Sequence, residues 1–505
     1  MNGCSRRNLS STLAASVLLG LVLAPAAHAQ GSDELDAFIE DAMQQGHIPG
    51  VAAAIVKGDR VVWAKGYGMA NFEYGTPVSV DTPFFLASIS KTVTATALMQ
   101  LRDEGRFALD DDVNDTLAFE LVNPFTDIAG LTYRQLLTHT AGLRDNWTVM
   151  DPLYVPGDSP WQLQDFHPEY WVRGGQFYDP ANNFYDWAPG SAYSYCNQGF
   201  SLLGLLGQEL AGVPFEDLCE QRVFLPLGMT NSSFRVKDFE REELAMPYGW
   251  NSSLGEFIPL GHYGYPDWPA GTLRTSVLDL AKFLRVYINE GTSEGVQLLR
   301  ASTVEEMLTV QVPAPDPQGL CFYYINTPFT GRVVGHDGGD PGVLTDMYFR
   351  PADDTGVILL VNGFGSFTWY WAIYERLWQE ADLASTAWHQ LGNGVAGTHG
   401  QPHLRATGDP VVGEELRLEL VGALENAPAR LVLGFEGGVA SSLTDAFAAA
   451  NNVALRTDDR GALTVCLPWP AELPAGREVS FQVWVADPTA PFGFAASNAI
   501  VGAAP

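Results

Sequence analysis

The chain of 505 residues is long enough for two or more domains, and its formal charge of −31 makes it strongly acidic. Asp and Glu number 59 against 28 Lys and Arg, so most of the surface repels phosphate groups. This charge disfavours nucleic acid and anionic membrane as partners.

The first 29 residues have the pattern of an export signal. Two arginines precede an apolar run, which ends at Ala27-His28-Ala29, the form of a signal-peptidase site. We predict cleavage after Ala29 and a periplasmic or extracellular protein of charge −33, because the segment holds two arginines and no acids. The alternative is an uncleaved anchor, but the run is short and contains Pro25. No later segment is apolar and long enough to span a bilayer.

Residues 33–46 predict an amphipathic helix, and "GVAAAIVKGDRVVWAKGYG" predicts two strands joined by a turn at Gly58. A further helix is predicted from Thr92, which places Ser88 and Lys91 three residues apart on one face of its first turn. The ordinary interpretation is that Ser88 caps this helix. The alternative is a serine nucleophile with a lysine base, since a desolvated lysine can lose its proton near neutral pH.

The middle of the chain mixes helices with an aromatic segment. "LTYRQLLTHTAGL" predicts a short helix closed by Gly142, and further helices are predicted at 197–212 and 276–291. Residues 144–190 show no clear period, so we expect a long irregular segment there. Its aromatic residues could wall a cleft or fill the core, and both interpretations stay open: Trp147, Trp161, Tyr170, Trp171 and Trp187.

After residue 318 short strands dominate: "GLCFYYIN", "GRVVGHDGG", "GVLTDMYFR" and "GVILLVNG". A last helix is predicted at about 366–382. This order indicates an α+β fold, an antiparallel sheet flanked by helices, over a domain of residues 30–385. A glycine-rich linker is predicted at 386–400. Residues 401–505 alternate at period 2 and predict a small all-β domain, like a β-sandwich.

Four cysteines remain after the export signal: Cys196, Cys219, Cys321 and Cys466. Three disulfide pairings are possible, and the spacing does not choose among them. A chain of this size does not need disulfides, so we expect mostly buried free thiols.

Two further motifs accompany Ser88 and Lys91. Tyr195-Cys196-Asn197 comes immediately before a predicted helix, and "GHDGG", which contains His336, lies on a strand that runs into glycines. Together the three motifs resemble the serine β-lactamase and penicillin-binding protein superfamily. "LLTHTAGL", "APGSAYSYCNQGFSLLG" and "PAGTLRTSVLDLAKF" resemble its class C-like branch, which includes esterases, D-aminopeptidases and DD-peptidases. The resemblance covers about residues 33–382.

The resemblance implies a β-lactamase/transpeptidase-like fold with an all-helical subdomain. It implies that Ser88 attacks a carbonyl carbon, while Lys91 and Tyr195 act as general base and acid. Asn197 would hydrogen-bond Lys91 and the substrate. The backbone N–H groups of Ser88 and Gly339 would hold the oxyanion, and Gly338 would let the substrate approach closely. No metal or cofactor is expected.

One departure concerns His336, because many members of the superfamily have lysine there. A histidine with an ordinary pKa near 6.5 is largely neutral at pH 7, so hydrolysis of carboxylate-bearing penicillins is disfavoured. The sequence therefore predicts a hydrolase of small ester, amide or peptide substrates. The alternatives are a D-amino-acid peptidase or DD-carboxypeptidase, a weak β-lactamase, or an inactive surface-binding protein. The oligomeric state is left open.

Overall fold

The computed structural model describes residues 32–126, 130–313, 317–384, 388–392, 394–407, 415–435, 452–469, 478–490 and 493–503. The predicted export signal, residues 1–29, lies outside the described residues.

The described residues up to Ala384 form twelve α-helices and seventeen strands, several of them only two residues long. The α-helices are α1 (Ser32–Gly46), α2 (Ser90–Asp103), α3 (Tyr133–Leu137), α4 (Trp147–Met150), α5 (Leu163–Trp171), α6 (Pro180–Asn183), α7 (Asn197–Ala211), α8 (Phe215–Cys219), α9 (Leu225–Leu227), α10 (Val277–Ile288), α11 (Ala301–Leu308) and α12 (Phe367–Leu383). The strands are β1 (Gly50–Lys57), β2 (Arg60–Asn71), β3 (Thr76–Pro77), β4 (Phe84–Phe85), β5 (Val155–Pro156), β6 (Ser232–Ser233), β7 (Tyr248–Asn251), β8 (Glu256–Pro259), β9 (Tyr263–Gly264), β10 (Arg274–Thr275), β11 (Thr292–Ser293), β12 (Val296–Gln297), β13 (Tyr323–Thr327), β14 (Gly331–Asp340), β15 (Val343–Arg350), β16 (Thr355–Val361) and β17 (Gly363–Phe364).

The main sheet has seven antiparallel strands in the order β13-β14-β15-β16-β1-β2-β3. Helices cover both of its faces. Val51 and Ala53 of β1 pack in one apolar cluster with α1 and α12, and Ala52 and Ala54 pack in another with α2 and α10. Burial on both faces explains why β1 is apolar without alternation. The predicted α+β sheet with flanking helices is confirmed.

The helical part of this domain centres on α7, which contacts α2, α3, α5 and α8. The apolar face of α7 is buried, and Gly212 ends the helix in the left-handed conformation, with φ of 71°. The turn Ala87–Ile89 directly before α2 contacts β14 and β15, while α2 itself contacts α7, so the start of α2 stands where the sheet and the helical part meet.

Two predictions for this region are wrong. The segment 144–190 is not irregular throughout, since α4, α5 and α6 lie in it; Pro168 inside α5 hid the helical pattern. Helix α3 is not closed by Gly142, because it ends at Leu137 and Gly142 lies in the turn beyond.

The C-terminal strands are β18 (Trp388–Gly392), β19 (His403–Thr407), β20 (Glu415–Val421), β21 (Pro428–Phe435), β22 (Asn452–Arg456), β23 (Leu463–Pro468), β24 (Glu478–Ala486), β25 (Phe494–Ala496) and β26 (Ala499–Ala503). One sheet has the order β18-β26-β24-β21-β22 with β25 beside β24, and the other has the order β19-β20-β23. Leu418 from one sheet and Leu431 and Val483 from the other share one apolar cluster, as in a sandwich.

The segment predicted as a linker contains β18. This strand pairs with β26 of the C-terminal sheet and lies against β2 of the larger domain. The rings of Trp63 and His403 meet edge-on nearby, with centroids 6.4 Å apart. The segment that contains β18 therefore contributes a strand to the sandwich and also links the two domains.

Candidate active site

Ser88 lies in a 3₁₀ turn, Ala87–Ile89, directly before α2. Lys91 in the first turn of α2 donates from Nζ to Ser88 Oγ at 2.9 Å and to the Ala270 carbonyl oxygen at 2.7 Å. The N-cap residue of α2 is Ile89, and no side chain caps the helix. Ser88 is therefore not the cap of this helix, and its hydroxyl meets the lysine that the sequence pairs with it.

Lys91 is fully buried, and this controls its charge. Desolvation lowers the pKa of Lys91 to about 8, while the nearby carboxylates of Asp145 and Asp267 oppose the fall. An appreciable fraction of Lys91 is thus neutral near pH 7. A neutral amine in contact with a hydroxyl can accept its proton.

Tyr195 lies just before α7, as predicted. The centroid of its ring is 4.9 Å from Lys91 Nζ and 4.3 Å from that of His139, on which it stacks. Although 37% of the residue is exposed, burial at the hydroxyl raises the pKa of Tyr195 well above its ordinary value, and a hydrogen bond with Ser88 opposes the rise. Tyr195 is therefore a neutral phenol beside Ser88.

Asn197 begins α7 and is held by Asp145. Its backbone N–H and its side-chain Nδ2 both donate to Asp145 Oδ2 at 2.9 Å. Among the described residues no hydrogen bond joins Asn197 to Lys91, so that expectation is wrong. The physical reason is that Ser88 and the Ala270 carbonyl already accept from the lysine, while the carboxylate of Asp145 offers the amide an anionic acceptor.

His336 is buried on β14, with 1% of its surface exposed. Its Nδ1 lies 2.6 Å from the Asp337 carbonyl oxygen, which requires Nδ1 to carry the proton. Nε2 is then an acceptor, and it has no hydrogen-bond partner in the part of the chain that the structure describes. Burial lowers the pKa of His336 to about 4, and the charge of Lys91 adds to the effect. His336 is thus neutral at pH 7, as expected. Because its pKa is lowered, it does not gain a proton at pH 6.5, the ordinary histidine value.

Gly338 and Gly339 follow on the same strand, opposite Thr345 and Leu344 of β15. A Cβ at Gly338 would lie 2.2 Å from the Leu86 carbonyl oxygen and 3.0 Å from the Ser88 nitrogen. Only glycine lets β14 pass this close to the turn that carries Ser88. Gly338 therefore faces the protein's own backbone and is not among the residues that line the cleft, so the expectation that it admits the substrate is wrong. A Cβ at Gly339 would meet Leu344 Cδ2 at 3.7 Å, an ordinary contact, and Gly339 lines both cavities of the cleft.

Two cavities meet at Ser88, Tyr195 and Gly339. The histidine cavity has a volume of about 280 Å³, and its other walls include Tyr193, Gln318, Cys321, Tyr323, His336 and Asp337. The acidic cavity has a volume of about 450 Å³, and its other walls include Asn197 as well as Trp147, Asp151, Tyr154, Tyr265, Asp267 and Asp340. Either cavity is large enough for a small substrate group.

The five predicted aromatic residues divide between the two interpretations. Trp147 is 48% exposed and lines the acidic cavity, so it walls the cleft. Tyr170 and Trp171 are fully buried core residues. Trp161 packs against that core, and Trp187 stacks on Tyr185.

Among the described residues none of the cysteines forms a disulfide and all are buried, which confirms the expected thiols: Cys196, Cys219, Cys321 and Cys466. Burial raises the pKa of Cys321 to above its usual range, so this thiol stays neutral in the wall of the histidine cavity. Within the described ranges, no cluster of three metal-binding side chains forms, and no helix combines the length and apolarity needed to cross a membrane.

The sequence interpretation missed Asp145, His139 and Asp267. His139 stands inside the quoted motif "LLTHTAGL", accepts a hydrogen bond from the Cys196 N–H at 3.1 Å and supports the ring of Tyr195. Asp145 follows that motif by two residues, so the motif was a signal for both. Asp267 stands two residues before the quoted motif "PAGTLRTSVLDLAKF", so that motif was the signal for it.

Comparisons with known proteins identify the family and the fold of the chain. The chain matches the family model Beta-lactamase over residues 35–370. It is 24% identical over 329 residues to Protein flp of Staphylococcus aureus (strain NCTC 8325 / PS 47), which is 65% of this chain and 62% of that protein. The chain thus matches less than two thirds of the length of this relative.

Two solved structures share the fold. The octameric penicillin-binding protein homologue from Pyrococcus abyssi has 22% identity and a TM-score of 0.55, covering 94% of this chain and 100% of that one. The D-amino acid amidase from Ochrobactrum anthropi SV3 has 22% identity and a TM-score of 0.54, covering 70% and 98%. The first of these matches extends beyond the residues of the family model.

Proposed function

Because the chain belongs to the Beta-lactamase family, we propose that it is an exported serine hydrolase that cleaves small esters or amides through an acyl-enzyme on Ser88. The observation that carries this proposal is the 2.9 Å contact between Ser88 Oγ and the buried Nζ of Lys91. A serine hydroxyl is a weak nucleophile until a neighbouring base takes its proton.

The protonation states suggest how the roles divide. With a pKa of about 8, Lys91 is the group that can accept the Ser88 proton as Oγ bonds to the carbonyl carbon. Tyr195, whose raised pKa keeps it protonated, gives a proton to the leaving alcohol or amine. Lys91 then restores the proton of Tyr195, so the pair acts as one relay.

The negative oxygen of the tetrahedral intermediate needs hydrogen-bond donors. We assign this role to the backbone N–H groups of Ser88 and Gly339, whose segments are brought together by the absence of a side chain at Gly338. In other enzymes one such donor is worth about 3–4 kcal/mol. Asn197, oriented by Asp145, lies where it can hydrogen-bond the acyl group.

Water completes the cycle. A water molecule deprotonated by the same relay attacks the acyl carbon, the bond to Ser88 Oγ breaks, and the carboxylic acid leaves. Ser88 recovers its proton, so the cycle consumes one water molecule and needs no cofactor. The alternative of an inactive binding protein conflicts with the complete relay of Ser88, Lys91 and Tyr195.

The substrate class follows from charge. A neutral His336 offers no fixed cation to a penicillin carboxylate, so we place β-lactamase activity below ester or amide hydrolysis. D-Amino-acid peptidase or carboxypeptidase activity is the second candidate, and one specific observation favours it: the acidic cavity beside Ser88 suits an amine. Export is proposed from the N-terminal sequence, and a mature protein that begins at Gln30 is its test.

The experiment compares two serine variants on p-nitrophenyl acetate. We expect Ser88→Ala to lose at least 10³-fold in kcat/KM while its circular dichroism stays that of the natural protein. Ser191→Ala, on an exposed turn, is the matched control and should keep full activity. Substantial hydrolysis by Ser88→Ala would refute the proposal.

A further inference from the structure

The acidic cavity contains more negative charge than the proposed reaction requires. Asp267 and Asp340 line it beside Ser88, and Asp151 stands at its exposed edge. Neither the proton relay nor the proposed oxyanion donors use these carboxylates. They therefore need another explanation.

Asp267 is buried, with 5% of its surface exposed, and its Oδ1 has no hydrogen-bond partner among the described residues. It precedes Ala270, whose carbonyl oxygen holds Lys91 Nζ, so its carboxylate lies close to the reacting atoms. Burial raises the pKa of Asp267 to about 7, and the charge of Asp145 adds to the rise. A buried carboxylate oxygen without a hydrogen bond is costly unless a cation or donor approaches it.

Asp340 follows Gly339 at the end of β14. Its Oδ2 accepts from the Tyr265 hydroxyl at 2.9 Å, and its Oδ1 lies 3.5 Å from the Tyr154 hydroxyl. Neutral phenols orient this carboxylate without neutralising it. The nearby guanidinium of Arg274 donates instead to the carbonyl oxygens of Thr272 and Tyr263.

The walls around these acids are aromatic. Trp147 is exposed into the cavity, and the rings of Tyr154 and Tyr265 lie with centroids 4.6 Å apart. Aromatic faces and carboxylates together attract an organic cation. They also repel a carboxylate on the same side of the substrate.

Lys91, which contacts Ser88, cannot remain the cation that balances these carboxylates. Lys91 must lose its positive charge to act as the base, and its Nζ is committed to Ser88 and the Ala270 carbonyl. A cation brought by the substrate would leave Lys91 free to work as a neutral amine. It would also compensate charge that the protein itself leaves exposed in the cavity.

We propose that the acidic cavity binds a free ammonium group of the substrate through Asp267 and Asp340, so that the enzyme prefers aminoacyl amides or esters to their N-acylated counterparts. This inference rests on the proposed function and specifies its substrate class. An α-amino group is the fitting carrier, because its nitrogen lies two bonds from the scissile carbonyl carbon. Asp267 and Asp340 line the same cavity as Ser88 and Gly339, and Asp267 closely precedes Ala270, whose carbonyl oxygen accepts from Lys91.

The preference should depend on pH. Asp340, with a pKa raised to about 6 by burial, and Asp267 must ionise to hold a cation. The charged groups that face them are Lys91, Arg274, Asp145 and Asp151, and the phenols are Tyr154, Tyr263 and Tyr265. The preference should therefore rise from pH 5.5 to about 7, and it should fall when the α-ammonium group loses its proton near pH 8.

The test measures kcat/KM at pH 7.5 for D- and L-alanyl p-nitroanilide and for their N-acetyl derivatives. We expect the free amine of at least one enantiomer to be preferred at least tenfold. Asp267→Asn and Asp340→Asn should each reduce this ratio at least fivefold. Asp337→Asn, which removes one carboxylate from the histidine cavity, is the matched control and should change the ratio less than twofold.

Hydrolysis of p-nitrophenyl acetate separates this inference from the proposed function. If both Asn variants keep that activity, they are folded, and an unchanged amine ratio then overturns the inference alone. If no anilide is cleaved, the free-amine anilides should still inhibit p-nitrophenyl acetate hydrolysis at least tenfold more strongly than the acetylated ones. Equal inhibition would overturn the inference, whereas activity of Ser88→Ala would overturn the proposed function.

Discussion

The fall of kcat/KM at acidic pH, which we call the acid limb of the pH profile, should report the charge of Lys91. With a pKa of about 8, roughly one tenth of Lys91 is neutral at pH 7, whereas at the ordinary value of 10.5 only about one in 3,000 would be. The environment thus favours the neutral amine by about 3 kcal/mol. Because kcat/KM reports the free enzyme, its value for p-nitrophenyl acetate should fall about tenfold per pH unit below pH 7.

The carboxylate of Asp145 gives this prediction a sharper form. It raises the pKa of Lys91, so Asp145→Asn should move the acid limb to lower pH. The same substitution disturbs Asn197 and can change the maximal kcat/KM. The readout is therefore the pH at which kcat/KM falls, and not the maximal value. Lys91→Arg should remove the limb together with activity, because arginine stays protonated. A flat profile from pH 5.5 to 8 would refute Lys91 as the base.

If Lys91 and Tyr195 form one relay, Lys91→Ala and Tyr195→Phe should each be severe, and the double variant should be little worse than either; kcat/KM losses that multiply would contradict the shared role. His336→Lys should raise the ratio of nitrocefin to p-nitrophenyl acetate hydrolysis at least fivefold, since a cation near a carboxylate is worth about 1–4 kcal/mol. In the natural protein that ratio should not rise between pH 8 and 5.5, because the pKa of His336 is about 4. A chain that ends at Ala384 should stay folded and active on small esters; loss of both would show that the C-terminal sandwich supports the larger domain through β2.

The elements that the sequence predicted well are those whose pattern is local. The helix from Ser90 and the strands around Gly58 depend on periodic apolar residues and a turn, which remain visible without tertiary contacts. Helix α5 was missed because Pro168 interrupts the pattern inside it. The strand β18 was missed because its glycine-rich surroundings resemble a linker, and its pairing partner β26 lies about 110 residues away.

The residues of the site also divide into those that a local motif predicts and those that depend on tertiary contacts. Ser88, Lys91 and Tyr195 come together as the motifs indicate, because each motif fixes its own local turn. The partner of Asn197 was misassigned, because hydrogen bonding to Asp145 depends on how α7 packs against a distant turn. The pKa of His336 depends on burial by neighbours from several strands, which no short motif records.

The central claim is that Ser88 forms the acyl-enzyme, and a covalent label tests it most directly. The natural protein treated with a fluorophosphonate should gain the mass of one phosphonyl group, and peptide mapping should place that group on Ser88. Prior incubation with a slowly hydrolysed ester should block the label. An adduct on another residue, or equal labelling of Ser88→Ala, would contradict the account.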